Sequence, residues 1–202
     1  MLSVLILTHN EEKNLQQCID SVSFSDEIVI LDSHSTDATT QIALDNKAVL
    51  LQRHFDDYAS QRNYGLAYSY RHDWVLMIDA DERVTPQLRE EILKKTSETS
   101  DVTLYRVRRQ DMFMGRWIKH SSGYPTWFGR LFKKGRVIVH RGINEEYHTN
   151  GREDLLRSHL KHFPFNKGIT HWVTRHNSYS SSEALQLIKE RKNPIIFREL
   201  SP

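Results

Sequence analysis

An α/β fold is what the sequence predicts: a first half built on a mostly parallel sheet, then a smaller mixed-sheet region and a C-terminal helix. Three observations carry this. Up to about residue 100, short apolar runs alternate with helical patterns, as βαβ units require. The apolar runs end in polar residues that lead straight into helix starts, as in Thr8-His9-Asn10 and Asp32-Ser33-His34-Ser35. Past residue 100 the alternation stops, and short segments rich in aromatics, glycine and arginine take over.

The elements follow in order. Residues 2–7 form a first apolar run, and residues 27–33, 48–53 and 74–80 repeat the pattern, each short enough for a buried strand. Helices are expected between them at 11–22, 36–46 and 57–70. A fourth, at 86–96, carries Thr85 as its N-cap and Pro86 at its first position, where the missing N–H costs nothing. A strand at 102–107 opens the second half, and helical spacing returns from Thr170 to Arg191, with an interruption expected at the serines 178–182.

The length of 202 residues suits one domain, expected over 1–202 with a first half at 1–100, a second at 101–169 and a helical segment at 170–202. Lys and Arg total 28 against 26 Asp and Glu, so no global basic field points to nucleic acid. The single cysteine, Cys18, forbids an internal disulfide and suits a reducing compartment. Its spacing with Leu15, Ile19 and Val22 marks a core thiol. The N-terminus has no basic lead and no apolar stretch of spanning length, and none occurs elsewhere. Cytoplasmic residence is therefore expected, with any membrane contact peripheral at the inner face.

In an open parallel sheet, ligands bind outside the carboxyl ends of the strands, which brings Asn10, Glu11, Asp32 and Asp79 to one edge. Thr8-His9-Asn10-Glu11 can hold a base or ribose with backbone N–H groups and short side chains, and Asp32 can accept a uracil imide or a ribose hydroxyl. Ser35, Thr36 and Asp37 read as capping residues. Asp79-Ala80-Asp81-Glu82 is the strongest signal. Strand alternation puts Asp79 and Asp81 on one side, where they repel unless a cation lies between them. Mg²⁺ or Mn²⁺ with substrate phosphates fits that need. The competing reading is an acidic lead-in to the helix after Thr85.

Taken together, Thr8-His9-Asn10-Glu11, Leu31-Asp32-Ser33-His34-Ser35-Thr36-Asp37, Gln61-Arg62-Asn63 and Ile78-Asp79-Ala80-Asp81-Glu82-Arg83 resemble family 2 glycosyltransferases of the GT-A fold. The branch that builds lipopolysaccharide cores and related surface glycans is the most similar. The resemblance is strong from Leu2 to Arg83 and looser beyond. It implies a nucleotide-sugar-binding half at 1–100 and an acceptor-binding half at 101–169. Thr8, Asn10, Glu11, Asp32, Arg62 and Asp79 would meet the nucleotide, and Asp81 would be the principal ligand of Mg²⁺ or Mn²⁺. The family pattern has Gly where this chain has His34, which sets a titratable group beside the nucleotide.

The implied activity is inverting transfer from a nucleotide donor, UDP-linked, to a glycan or lipid-linked acceptor. Such a displacement needs a base for the acceptor hydroxyl. The segment Gly142-Ile143-Asn144-Glu145-Glu146-Tyr147 supplies two candidates, with Glu145 matching the family position, Glu146 left open and Asn144 standing where the family usually has His. Asp111 is a rival base, better read as a turn residue. His162, before Phe163-Pro164-Phe165, resembles the family's late histidine ligand to the metal, while His159-Leu160-Lys161-His162 lacks the partners of a zinc site. Arg130 is suited to a phosphate through its planar fork, against a surface salt bridge as its plain role. Trp117, Tyr124 and Trp127 can stack on sugars or simply fill a core. Two other functions stay open: a GT-A-like protein that only binds nucleotide or glycan, and a sugar nucleotidyltransferase, which would want a Gly-rich loop after the first strand.

Overall fold

The structure, a computed structural model, describes residues 1–120, 123–142 and 144–190. Ile143 and the chain end at Leu200-Ser201-Pro202 lie outside these residues, as do the side chains of residues 189 and 190.

Four parallel strands form the expected half: β1 (Ser3–Thr8), β2 (Ile28–Asp32), β3 (Val49–Gln52) and β4 (Trp74–Asp79), in the order β3-β2-β1-β4. Alternate residues feed two cores, which is why the strands read as continuous apolar runs. Val4, Ile6, Ile30, Leu76 and Ile78 pack with α1 (Leu15–Ser21) and α4 (Pro86–Ser97) on one face. Leu5, Val29, Leu31, Val75 and Met77 pack on the other, against α3 (Tyr58–Leu66), where Gly65 lets the helix approach so closely that a Cβ would sit 2.6 Å from Leu5 Cδ2. Cys18 is fully buried in the first core, and burial pushes its thiol well above the usual range.

Register brings the strand ends level. Thr8 pairs with Asp32 and Leu7 with Asp79. The first two helices begin later than the sequence suggests, at Leu15 and, for α2 (Thr39–Asp45), at Thr39. Asn10 at φ 53° and His34 at φ 57° are left-handed, and a left-handed residue cannot join a right-handed helix. Residues between strand and helix instead form side-chain-bonded turns. Thr85 caps α4 as expected, accepting from Leu88 N.

The second half departs from expectation in one respect. Apart from one hairpin, its strands do not make a separate small sheet but extend the first one. After α4, β6 (Val102–Phe113) pairs with the hairpin strand β7 (Arg116–Trp117) and with β8 (Trp127–Lys133), which pairs in turn with β4. The hairpin of β9 (Val137–His140) and β10 (Glu146–Thr149) stands apart, and β11 (Arg152–His162) runs parallel to β6. The nine-stranded sheet ends at the short β5 (Glu82–Val84), giving β4-β8-β6-β11-β5.

Only Ala80 and Asp81 separate β4 from β5, a link that reaches about 11 Å at most, whereas four flat strand spacings cover about 19 Å. The sheet must therefore curl until its far edge returns to the end of β4. That curl carries the end of β11 onto Asp81, whose carbonyl accepts from Phe163 N at 2.8 Å. The closing helix α5 (Ile169–Glu190) is continuous. The interruption expected at the serines does not occur, because Ser180 and Ser181 return their hydroxyls to the Asn177 carbonyl and leave the ladder intact.

Candidate active site

Asp79 closes β4 between two arginines. Arg62 of α3 approaches one carboxylate oxygen at 3.1 Å and Arg130 of β8 the other at 2.9 Å. Burial opposes ionisation of Asp79, but the two guanidiniums outweigh it and hold the carboxyl at about 2. Arg62 also donates from Nε to Glu145 Oε1 at 2.9 Å, so one buried guanidinium joins the end of β4 to the segment before β10.

Arg130 is expected from the sequence at a phosphate or on the surface. The structure puts it inside, 2 % exposed, with Nε and Nη2 donating to the two oxygens of fully buried Glu82 at 3.0 and 2.9 Å. Glu82 also accepts from the Asp79 amide at 3.0 Å. Arg130 thus stands behind Asp79, its charge taken up within the protein.

Asp81 meets different partners. His162 Nε2 lies 3.3 Å from Asp81 Oδ2, and Nδ1 of the same ring lies 2.7 Å from Asp111 Oδ1. Burial raises the Asp81 pKa, yet His162 first, then Arg175 and Arg109, hold it well below the usual carboxylate range. Burial alone would lower His162, but Asp81 and Asp111 outweigh it and move it above its ordinary value. Asp111 belongs to β6 and not to a turn, and the parallel pairing of β6 with β11 sets it in register with His162.

Among the described residues, no three His, Cys, Asp or Glu side chains form a metal cluster. Mg²⁺ and Mn²⁺ sites commonly take one or two protein ligands and fill the rest with phosphate oxygens and water. Asp81 with His162 fits that kind of set. The contact of Nδ1 with a carboxylate, which leaves Nε2 forward, is the usual support of a metal-binding histidine.

The edge around Thr8, Asn10 and Asp32 is built from turns. Asp32 is fully buried, accepts from Ser35 N at 2.9 Å and Gln52 Nε2 at 3.3 Å, and also takes the Ser35 hydroxyl. Asn10 donates its amide to Ser35 Oγ at 2.7 Å and accepts from Thr36 N at 2.7 Å. Glu11 is buried, bonded to Asn14 at 2.8 Å and paired with Lys167 Nζ at 2.6 Å. Burial and then Asp81 raise its pKa against the pull of Asn14 and Lys167. The Thr8 hydroxyl is buried without a hydrogen-bond partner. His34 takes the left-handed conformation that the family pattern reserves for glycine and stacks on His54 with ring centroids 4.0 Å apart.

Glu146, adjacent to Glu145, points away. It is 56 % exposed, with Arg141 and His148 at 3.7 and 3.5 Å. Trp117 and Tyr124 pack edge to face with each other, and Tyr124 Oη lies 2.7 Å from His159 Nε2. Sequence reasoning passed over Lys167 and Arg175, the second of which lies 3.8 Å from Asp81 Oδ2. No local pattern announces either, since each meets its carboxylate only through the return of the segment after β11 to the sheet.

Residues 3–170 match the glycosyl transferase family 2 profile. A glycosyltransferase of Rickettsia prowazekii is 29% identical, the alignment covering 98% of this chain and 71% of that one. LpsC of Rhizobium meliloti, a lipopolysaccharide core biosynthesis glycosyltransferase, is 27% identical over 98% of this chain and 75% of its own. Glucosyl-3-phosphoglycerate synthase from Mycobacterium tuberculosis, solved with Mn²⁺, UDP and glucosyl-3-phosphoglycerate, aligns with a TM-score of 0.46 at 23% identity, over 55% of this chain and 44% of its own. A family match that begins in β1 and ends in the first turn of α5 takes in every strand described above, and the chain belongs to glycosyl transferase family 2.

Proposed function

We propose that this chain transfers a sugar, with inversion, from a UDP-linked donor to a hydroxyl of a glycan or lipid-linked acceptor in cell-surface polysaccharide or lipopolysaccharide synthesis. The observation that carries the reading is Arg62, whose one guanidinium pairs with Asp79 and with Glu145. Donor-side and acceptor-side carboxylates are thereby held in a fixed relation before any substrate arrives, and fixed alignment is what a direct displacement requires. The relation to LpsC supports the substrate class.

Thr8, Asn10, Glu11 and Asp32 hold the nucleoside end. Asp81 and His162 would hold Mg²⁺ or Mn²⁺, which when bound offsets the charge of the departing diphosphate. Glu145 takes the proton of the acceptor hydroxyl, and Arg62 keeps its carboxylate oriented. Glu146 is the poorer base because its carboxylate faces solvent. Arg130 acts by fixing Asp79. Cytoplasmic residence and peripheral contact with a membrane belong to the same proposal; no helix among the described residues is long and apolar enough to cross one.

Glu145→Gln is expected to lower turnover by about 10²–10⁴-fold, the usual worth of a general base, with UDP binding kept, whereas Glu146→Gln keeps most activity. Transfer is assayed beside metal-dependent hydrolysis of nucleotide sugars, which needs no acceptor. Calorimetry of UDP with and without Mn²⁺, repeated on Asp81→Ala, tests the donor site. UDP binding indifferent to both metal and substitution would sink the proposal, as would loss of turnover on Glu146→Gln alone. Binding without any turnover would leave a nucleotide-binding protein.

A further inference from the structure

Two cations from the chain's last described segment rest on carboxylates of the donor edge. Lys167 Nζ lies 2.6 Å from Glu11 Oε1 and 3.1 Å from the His9 carbonyl. Arg175, about two turns into α5, lies 3.8 Å from Asp81 Oδ2. The distance is beyond hydrogen-bond range, and Arg175 Nε is buried without a partner, so the guanidinium has donors to spare.

The attachment of α5 is largely polar. Tyr58 donates its hydroxyl to Tyr179 Oη at 2.7 Å, Arg141 donates to Glu183 Oε1 at 3.1 Å, and Val173, Leu185 and Ile188 stay exposed. The tilted contact of Trp172 with Phe165, ring centroids 5.2 Å apart, gives it an apolar anchor. A helix held this way over an edge can shift at modest cost.

Electrostatics says what would shift it. Arg175, which faces Asp81, would be repelled by a divalent cation held on that carboxylate. The diphosphate that accompanies the cation offers several oxygens, with geometry suited to an arginine fork and a lysine point charge. Resting on the functional reading above, we propose that Lys167 and Arg175 bind the donor diphosphate, exchanging Glu11 and Asp81 for its oxygens and drawing α5 onto the donor. The carboxylates hold the two cations in place until the diphosphate arrives.

The test compares uridine, UMP and UDP in the presence of Mn²⁺ by calorimetry on the full chain, Lys167→Met, Arg175→Met and Arg175→Lys. Each Met variant is expected to cut the preference for UDP over UMP about ten-fold, as loss of one charged contact should, with uridine affinity kept and Arg175→Lys intermediate. Lys167→Met made in a Glu11→Gln background is expected to lose the same preference, since Lys167 acts on the diphosphate and not by neutralising Glu11. An unchanged UDP-to-UMP ratio in both Met variants overturns the proposal. So does an equal loss for all three ligands, the mark of a purely structural helix. A full chain with no metal-dependent UDP binding overturns the functional reading itself, which is a different result.

Discussion

Asp79 and Glu82 share Arg130, and the sharing sets the stability of the site. Glu82 is fully buried, and Arg130 donates to both of its oxygens. Arg130→Met takes away the bidentate donor and leaves Glu82 with Arg109 at 3.8 Å, and removing one partner of a buried pair costs about 3–5 kcal/mol. The expected outcome is a lower urea midpoint with an unchanged slope, and Arg130→Met combined with Glu82→Gln should recover part of the loss, as coupled partners do. A double variant no more stable than Arg130→Met alone would remove the pair from the account. The carboxylates were legible in the sequence because they end an apolar run. Their arginine was not, since 48 residues separate Arg130 from Glu82 and no periodicity spans that gap.

At the scale of elements, the strands and the capped start of α4 followed from local pattern. Apolar runs, an N-cap and a first-position proline each act within a few residues. The joins between elements did not follow. The strand β11 breaks register between Leu155 and His159, and Glu91 of α4 clasps the break by accepting from Arg157 N at 2.7 Å and Ser158 N at 2.8 Å. Burial pushes the Glu91 pKa up, but these amides outweigh it and leave the group below its ordinary 4.5. A depressed carboxyl stabilises the fold above its unfolded pKa and loses that contribution as pH falls through the folded one. Stability should therefore decline below about pH 4.5, and Glu91→Gln should flatten this part of the curve. Thermal midpoints of both proteins across that range check it; parallel curves would show that the clasp contributes nothing.

For the molecule as a whole, the site exists because the sheet curls. The short link from β4 to β5 forces the far edge back, and the end of β11 with His162 arrives at Asp81. Donor and metal should then bind as one unit and stabilise the whole domain. At a hundredfold excess over Kd a ligand adds about 2.7 kcal/mol, roughly 5–10 °C in a domain of this size. UDP with Mn²⁺ should raise the melting midpoint by that order and UDP alone by much less. An equal rise without metal would separate the nucleotide site from Asp81 and His162.

Residue order by itself determined the parallel half, the strand ends that converge on one edge, the Asp79-Ala80-Asp81-Glu82 turn and the family. Each depends on side-chain alternation, caps or short motifs, which are written within a few neighbours. Only the tertiary structure decided that Glu145 turns inward to Arg62 while Glu146 faces solvent, that Arg130 is an internal partner, and that Lys167 and Arg175 meet Glu11 and Asp81. Those outcomes depend on where distant strands lie once the sheet has closed on itself, and long-range electrostatic pairing leaves no period in the sequence to read.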